Sequence, residues 1–136
     1  MTIDEGLWLK LAGDSAVRAL VGDRWYPDII PEGEADQEFQ PAIAYGNSGE
    51  TEDATQDGPS GLRIATMQVA CMASTPAVAH DLAARVRAAL LDGAETWGDV
   101  RVFHAEVQPG GRTADDSTGS VQKVIVALNV TVAYRG

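Results

Sequence analysis

Apolar residues recur at helical spacing near the start of the chain, at Ile3, Leu7, Leu11, Val17, Leu20 and Val21, and the pair Gly13-Asp14 interrupts the run. The pattern predicts a helix and then a short second helical turn, which Gly22-Asp23 stops. Arg24-Trp25-Tyr26-Pro27 is short and aromatic and predicts a brief strand leading into a turn. A strand follows over 41–47 with Ile43 and Tyr45 on one face. Over 62–73 the spacing changes to alternation, with Ala65, Met67, Val69 and Cys71 on one face and Ile64, Thr66 and Gln68 on the other, the mark of a half-buried strand. Residues 75–92 carry the clearest helix. Thr75 is a candidate cap, Pro76 occupies the first helical position, and Gly93 lies past the end, while Val78, Leu82, Val86, Ala89 and Leu90 form one apolar stripe. Residues 100–107 predict another strand. The longest runs over 121–134, where Val124, Val126, Leu128, Val130, Val132 and Tyr134 alternate with Lys123, Ile125, Ala127, Asn129, Thr131 and Ala133, as a central antiparallel strand would.

Helix, strands, helix, strands is an α+β order. The expectation is a single domain over 1–136, a mainly antiparallel or mixed β-sheet packed by one long helix (about 75–92) plus a short N-terminal helix. Three stretches lack such periodicity and are expected to be mobile loops, near 28–40, 48–61 and 110–120. The second, SGETEDATQDGPSG, has no apolar residue larger than alanine and reads as a loop or as the tip of a hairpin.

Charge is distributed unevenly along this framework. Residues 1–61 hold thirteen acids against three bases and residues 62–136 hold seven of each, so the net charge of −10 belongs to the first half. Between Arg24 and Arg63 there is no lysine or arginine. Such a field repels nucleic acid at short range and favours a basic partner, or a passage to which DNA must not adhere. No basic patch of the kind that nucleic-acid recognition needs is present.

Candidate chemistry adds little. The lone Cys71 lies in the inward phase of a strand, where a thiol is inert, and with only His80 and His104 available it does not make a zinc site. Pro109-Gly-Gly-Arg-Thr lacks the spacing of a phosphate-binding loop. The carboxylates Asp115-Asp116 and Glu50-Glu52-Asp53 lack calcium-loop spacing, and solvated loop charge explains them better. Trp8, Trp25 and Trp97 fall in different elements, as core or interface anchors do. No stretch has the length of a membrane span, and the opening Met1-Thr-Ile-Asp-Glu lacks secretory-signal character, which points to synthesis in the cytosol. No catalytic residues, cofactor or metal are expected.

The string Ala19-Leu-Val-Gly-Asp-Arg-Trp-Tyr-Pro-Asp, followed by Gln40-Pro-Ala-Ile-Ala-Tyr, resembles the opening of the tail-completion, or tail-terminator, family of long-tailed bacteriophages. The order of the remaining elements is similar too, through the helix stripe of 77–91 and the closing strand that ends near Tyr134. The chain departs from the pattern at Ala42, where an aromatic residue is frequent, and in the acidic insert before it.

The resemblance implies a non-enzymatic virion protein, made and assembled in the bacterial host cytoplasm. Its place would be the head-proximal end of the tail tube, where a hexameric ring of copies halts tube polymerisation and offers a surface to the neck. The implied partners are itself, the tail tube protein and a neck or head-completion protein, with DNA passing through without specific binding. On that basis Glu50, Glu52, Asp53, Asp57, Arg112, Asp115 and Asp116 are candidate interface-loop residues. Glu32, Glu34, Asp36 and Glu38 are candidates for an acidic loop lining the DNA channel, with plain solvation of an exposed loop as the alternative. Another neck ring protein, or a small non-viral ligand-binding or hydrolytic α+β domain, are the rival readings.

Overall fold

A computed structural model describes residues 2–27, 40–55, 58–91, 96–115 and 123–135. The elements are α1 (Ile3–Ala12), α2 (Ser15–Val21), β1 (Trp25–Pro27), β2 (Ala42–Thr55), β3 (Gly58–Ala73), α3 (Pro76–Leu90), β4 (Thr96–Trp97), β5 (Val100–Asp115) and β6 (Lys123–Arg135). The strands form one mixed sheet in the order β1-β2-β3-β6-β5-β4, in which β1 runs parallel to β2 and every other pairing is antiparallel. This is the α+β architecture expected from the pattern, with β6 central between β3 and β5.

Each helix begins where a side chain satisfies an otherwise orphaned backbone N–H. Thr2 Oγ1 accepts from Glu5 N at 3.2 Å, Asp14 Oδ1 from Ala16 N and Val17 N at 3.0 and 3.1 Å, and Thr75 Oγ1 from Val78 N at 3.3 Å. Asp14 thus ends the first run and starts the second, which is why Gly13-Asp14 divides the helical pattern in two. Gly22, at φ 59°, ends α2 in a conformation that residues with a Cβ rarely adopt. The expected Gly93 stop lies outside the described residues.

The helices cover one face of the sheet. Ala79, Leu82, Ala83, Val86, Ala89 and Leu90 of α3 are buried against Ala65, Met67, Val69 and Cys71 of β3 and the alternate residues Val124 to Tyr134 of β6. α1 and α2 add Ile3, Leu7, Leu11, Val17 and Val21, and β5 adds Val100, Val102 and Val107. Gly6 permits the approach of α1 to β4, since a Cβ there would stand 2.9 Å from the Trp97 carbonyl oxygen. Trp97 itself is buried, whereas Trp8 on α1 is exposed.

A second, smaller cluster lies on the opposite face, where Ala42, Ala44, Ala70 and Met72 are buried beside Tyr26 and Ile125. The unbroken apolar run at the end of β3 therefore serves two faces, which a one-sided alternation did not anticipate.

Two of the expected loops are strands along most of their length. The stretch 48–61 is the outer part of the β2–β3 hairpin, with β2 continuing to Thr55 and β3 beginning at Gly58. The stretch 110–120 is β5 as far as Asp115, and its remainder lies outside the described residues. At 48–61 the hairpin alternative holds, whereas at 110–115 polar composition misled, because backbone pairing, once in register, needs no apolar side chain to continue it. Irregularities absorb what does not fit. Asn47 Oδ1 accepts from Gly49 N at 2.9 Å at the register shift between Asn47 and Gly49, and Gly111, at φ 106°, takes up the shift between Pro109 and Gly111. The expected loop near 28–40 lies outside the described residues except for Gln40.

Candidate assembly surfaces

The aromatic segment after α2 is held by one side chain. Arg24 donates from Nε to the Pro41 carbonyl at 2.7 Å and from Nη2 to the Leu20 carbonyl at 2.8 Å, while its own carbonyl accepts from Ile43 N at 3.1 Å. Trp25 Nε1 donates to the Gly22 carbonyl at 2.9 Å. One guanidinium therefore fastens the end of α2 to the start of β2, and the brief β1 is laid beside Ile43, Ala44 and Tyr45. The string Leu20-Val-Gly-Asp-Arg-Trp-Tyr-Pro is, physically, a helix stop followed by this clamp.

The ends of the sheet carry the surfaces suited to assembly. β1 pairs only with residues 43–45 of β2, and β4 only with Val100 and Arg101 of β5. Among the described residues, the outer edge of β2 beyond Tyr45 and that of β5 beyond Arg101 have no strand beside them. Pro109, which has no N–H to donate, fits an edge position of this kind. Long open edges are liabilities in an isolated domain and contact surfaces in an assembly.

The β2–β3 hairpin also outruns the rest of the described sheet. β3 pairs with β6 only from Arg63 onward, so, among the described residues, 58–62 have only β2 beside them, and the three β2 residues beyond Glu52 carry this arm by roughly 10 Å at ~3.4 Å per residue. Candidate residues Glu50, Glu52 and Asp53 belong to β2, with Glu50 opposite Ala65 and Glu52 opposite Arg63. Arg112 and Asp115 lie on β5, opposite Val126 and Lys123, at the other end of the sheet. Among the described residues, the candidates for interface loops thus fall into two groups at opposite ends of the sheet, on strands. Asp57, Asp116 and the four candidates Glu32, Glu34, Asp36 and Glu38 lie outside the described residues.

Two features had no counterpart in the sequence reading. Phe103 is 49 % exposed and lies between two guanidiniums, with Arg101 Cζ 5.0 Å and Arg135 Cζ 5.6 Å from the ring centroid. Beside it, His104 Nε2 stands 3.3 Å from Glu106 Oε1. The only hint in the sequence is the alternation Arg101-Val102-Phe103; Arg135 arrives through the antiparallel pairing of Arg101 with Arg135. The second feature is an open, mainly apolar groove of about 430 Å³ between α3 and the β5–β6 hairpin, lined by Ala83, Ala84, Arg87, Pro109 and Leu128 among others.

Burial pushes the Cys71 thiol up to about 12, so it stays protonated at neutral pH. Arg85 bridges to Asp81 at 3.1 Å and donates to the Ala16 carbonyl at 2.8 Å, tying α3 to α2. Among the described residues no three His, Cys, Asp or Glu side chains group to hold a metal ion, and no helix is long and apolar enough to cross a membrane.

An α+β subunit built on a single sheet with open edges and a projecting arm has the form of an assembly component. The family model for tail completion protein gp17 matches residues 6–133, and the chain belongs to that family of phage tail proteins. Among solved structures, a chain from the virion of a native gene transfer agent particle has the same fold, with a TM-score of 0.70 and 17 % identity over 96 % of this chain and 92 % of that one. No curated protein sequence matches the chain.

Proposed function

We propose that this protein caps the head-proximal end of a phage tail tube, stops tube polymerisation there, and presents the surface to which the neck of the head is joined. The working form is a hexameric ring of identical copies, assembled in the bacterial host cytoplasm and retained in the virion, with a non-catalytic role. Its partners are the tail tube protein on one side and a neck or head-completion protein on the other. DNA passes through without specific binding, and the carboxylates Glu32, Glu34, Asp36 and Glu38 keep that passage from adhering to phosphates.

The observation that carries this reading is the pair of edges left open among the described residues at opposite sides of one sheet, on a chain that belongs to the tail completion family. Two different edges on one subunit suit a heterologous contact, which closes into a ring when the rotation between neighbours divides a full turn. Being a gene transfer agent virion component is a property of the structural neighbour, and it is compatible with the same role here.

Electron microscopy of particles made without this protein tests the proposal. Overlong or unjoined tails are expected. Leaking heads with normal tails would replace it with a stopper role at the portal, and unaltered particles would remove the protein from the tail altogether.

A further inference from the structure

We infer that the outward face of α1, with Trp8 and Leu9, seats in the groove between α3 and the β5–β6 hairpin of a second copy of this chain, with Glu5 of one copy against Arg87 of the next. The inference rests on the ring reading above and specifies where its subunits hold one another.

Three observations converge on it. The first is a helix that is apolar on both sides. Ile3, Leu7 and Leu11 of α1 are buried in the core of their own copy, yet Trp8 and Leu9 stay 38 % and 37 % exposed. With the exposed Glu5 and the half-buried Ala12 they recur at i, i+3, i+4 and i+7, the spacing of one helical face. Tryptophan is among the residues that anchor contacts between proteins. The inward side, with Gly6 close against Trp97, fixes α1 on its own copy, so the outward face is left to another molecule.

The second is the groove. It is open, holds about 430 Å³ and is lined by Val126 and Leu128 of β6, Pro109 of β5, and Ala83 and Ala84 of α3. That volume has room for an indole and a leucine side chain. Along this side of α3 the two alanines present only methyl groups between His80 and Arg87, which lets a second helix come close.

The third is charge. Among the described residues that line the groove there is no carboxylate, while Arg87 and His80 are exposed on its α3 side. Glu5 is the charged member of the outward face of α1. With α1 antiparallel to α3, the apolar middles of the two faces meet, Glu5 comes to Arg87, a permanent cation, and Ala12 comes to His80. Helix face and groove are different surfaces of one chain, so each copy gives one to each neighbour. That is a heterologous contact, the kind that closes into a ring.

The test uses the full chain. Ala12→Cys and His80→Cys are made separately, which leaves Trp8, Leu9, Glu5 and Arg87 intact. The buried Cys71 thiol does not compete for a maleimide. The two variants are mixed, with and without tail tubes from the same particle, and treated with a short bis-maleimide.

A covalent species of twice the chain mass is expected in the mixture and not in either variant alone. Trp8→Ser in the Ala12→Cys chain is expected to lower its yield by about tenfold while that chain keeps a native circular-dichroism spectrum. Arg87→Glu in the His80→Cys chain is expected to lower the yield by about tenfold too, and Glu5→Arg in the Ala12→Cys chain to restore it. Absence of the mixed species, or its persistence unchanged with Trp8→Ser, would overturn the inference. So would Trp8→Ser keeping the chain off tubes where no mixed species forms, since the outward face of α1 would then meet the tube protein. Microscopy of the same tubes separates the two levels: a ring seen without the 12–80 link discards this contact alone, and no ring on the tube discards the functional reading with it.

Discussion

The sheet beneath α3 and the β2–β3 arm beyond β6 consist of the same strands under different demands. Over residues 65–73, β3 has β2 on one side, β6 on the other and helices across one face, and its inward side chains are fully buried. Over residues 58–62 the same strand has, among the described residues, β2 alone beside it. A two-stranded ribbon is marginal by itself in water, so the first region supplies the stability and the second extends reach. On the proposed function, stability and assembly are separable along one strand, and substitutions should divide accordingly.

The largest effect belongs to the buried side of the central strand. Val130→Asp places an unpaired carboxylate where no part of the side chain meets water, and loss of the folded state is expected, read as a collapsed circular-dichroism spectrum. A cooperative, native-like melt would contradict the placement of β6. Gly6→Val comes next, because its Cβ would meet the Trp97 carbonyl oxygen at 2.9 Å with backbone on both sides. A loss of ~2–3 kcal/mol is expected in urea unfolding.

Arg24→Met keeps much of the side-chain length but leaves the Leu20 and Pro41 carbonyls without their guanidinium donor. About 1–3 kcal/mol should be lost, and an unchanged denaturation midpoint would show the clamp to be dispensable. At the other extreme, replacing residues 51–59 by a short turn should cost about 1 kcal/mol or less while impairing the joining of tails to heads. Equal damage to stability and joining would erase the division between the two regions.

Cys71 offers a finer probe of the packed side. Its thiol is held protonated by burial, so alkylation at about pH 8 should follow global unfolding rather than proceed in the native state. The sign of the linked stability follows from a raised pKa. The contribution is complete below the ordinary value of 9.0 and is lost as pH rises towards about 12, which Cys71→Ala should remove from a comparison of melting temperature against pH.

Most of the packed region was legible in the order of residues. The break at Gly13-Asp14, the cap at Thr75, the inward phase of β3 and the strict alternation of β6 are local or periodic facts, and each found its counterpart. The assembly surfaces were less so. Polar composition pointed to a loop at 110–115 and left 48–55 between a loop and a hairpin tip, whereas pairing with neighbours already in register carried both stretches on as strands. How far apart the interface candidates stand was not legible either, since strand order sets Glu50 and Glu52 at one end of the sheet and Arg112 and Asp115 at the other.

By itself, then, the sequence determined which residues seek the interior, where helices start and stop, and that negative charge gathers in the first half. Periodicity and caps act over a few residues and need no partner from elsewhere in the chain. Tertiary structure alone decided that, among the described residues, the outer edges of β2 and β5 carry only the short β1 and β4, that the β2–β3 arm outruns β6, and that Arg135 comes to the ring shared with Arg101. Those outcomes depend on strand order and register, which are set by contacts between segments far apart in the chain.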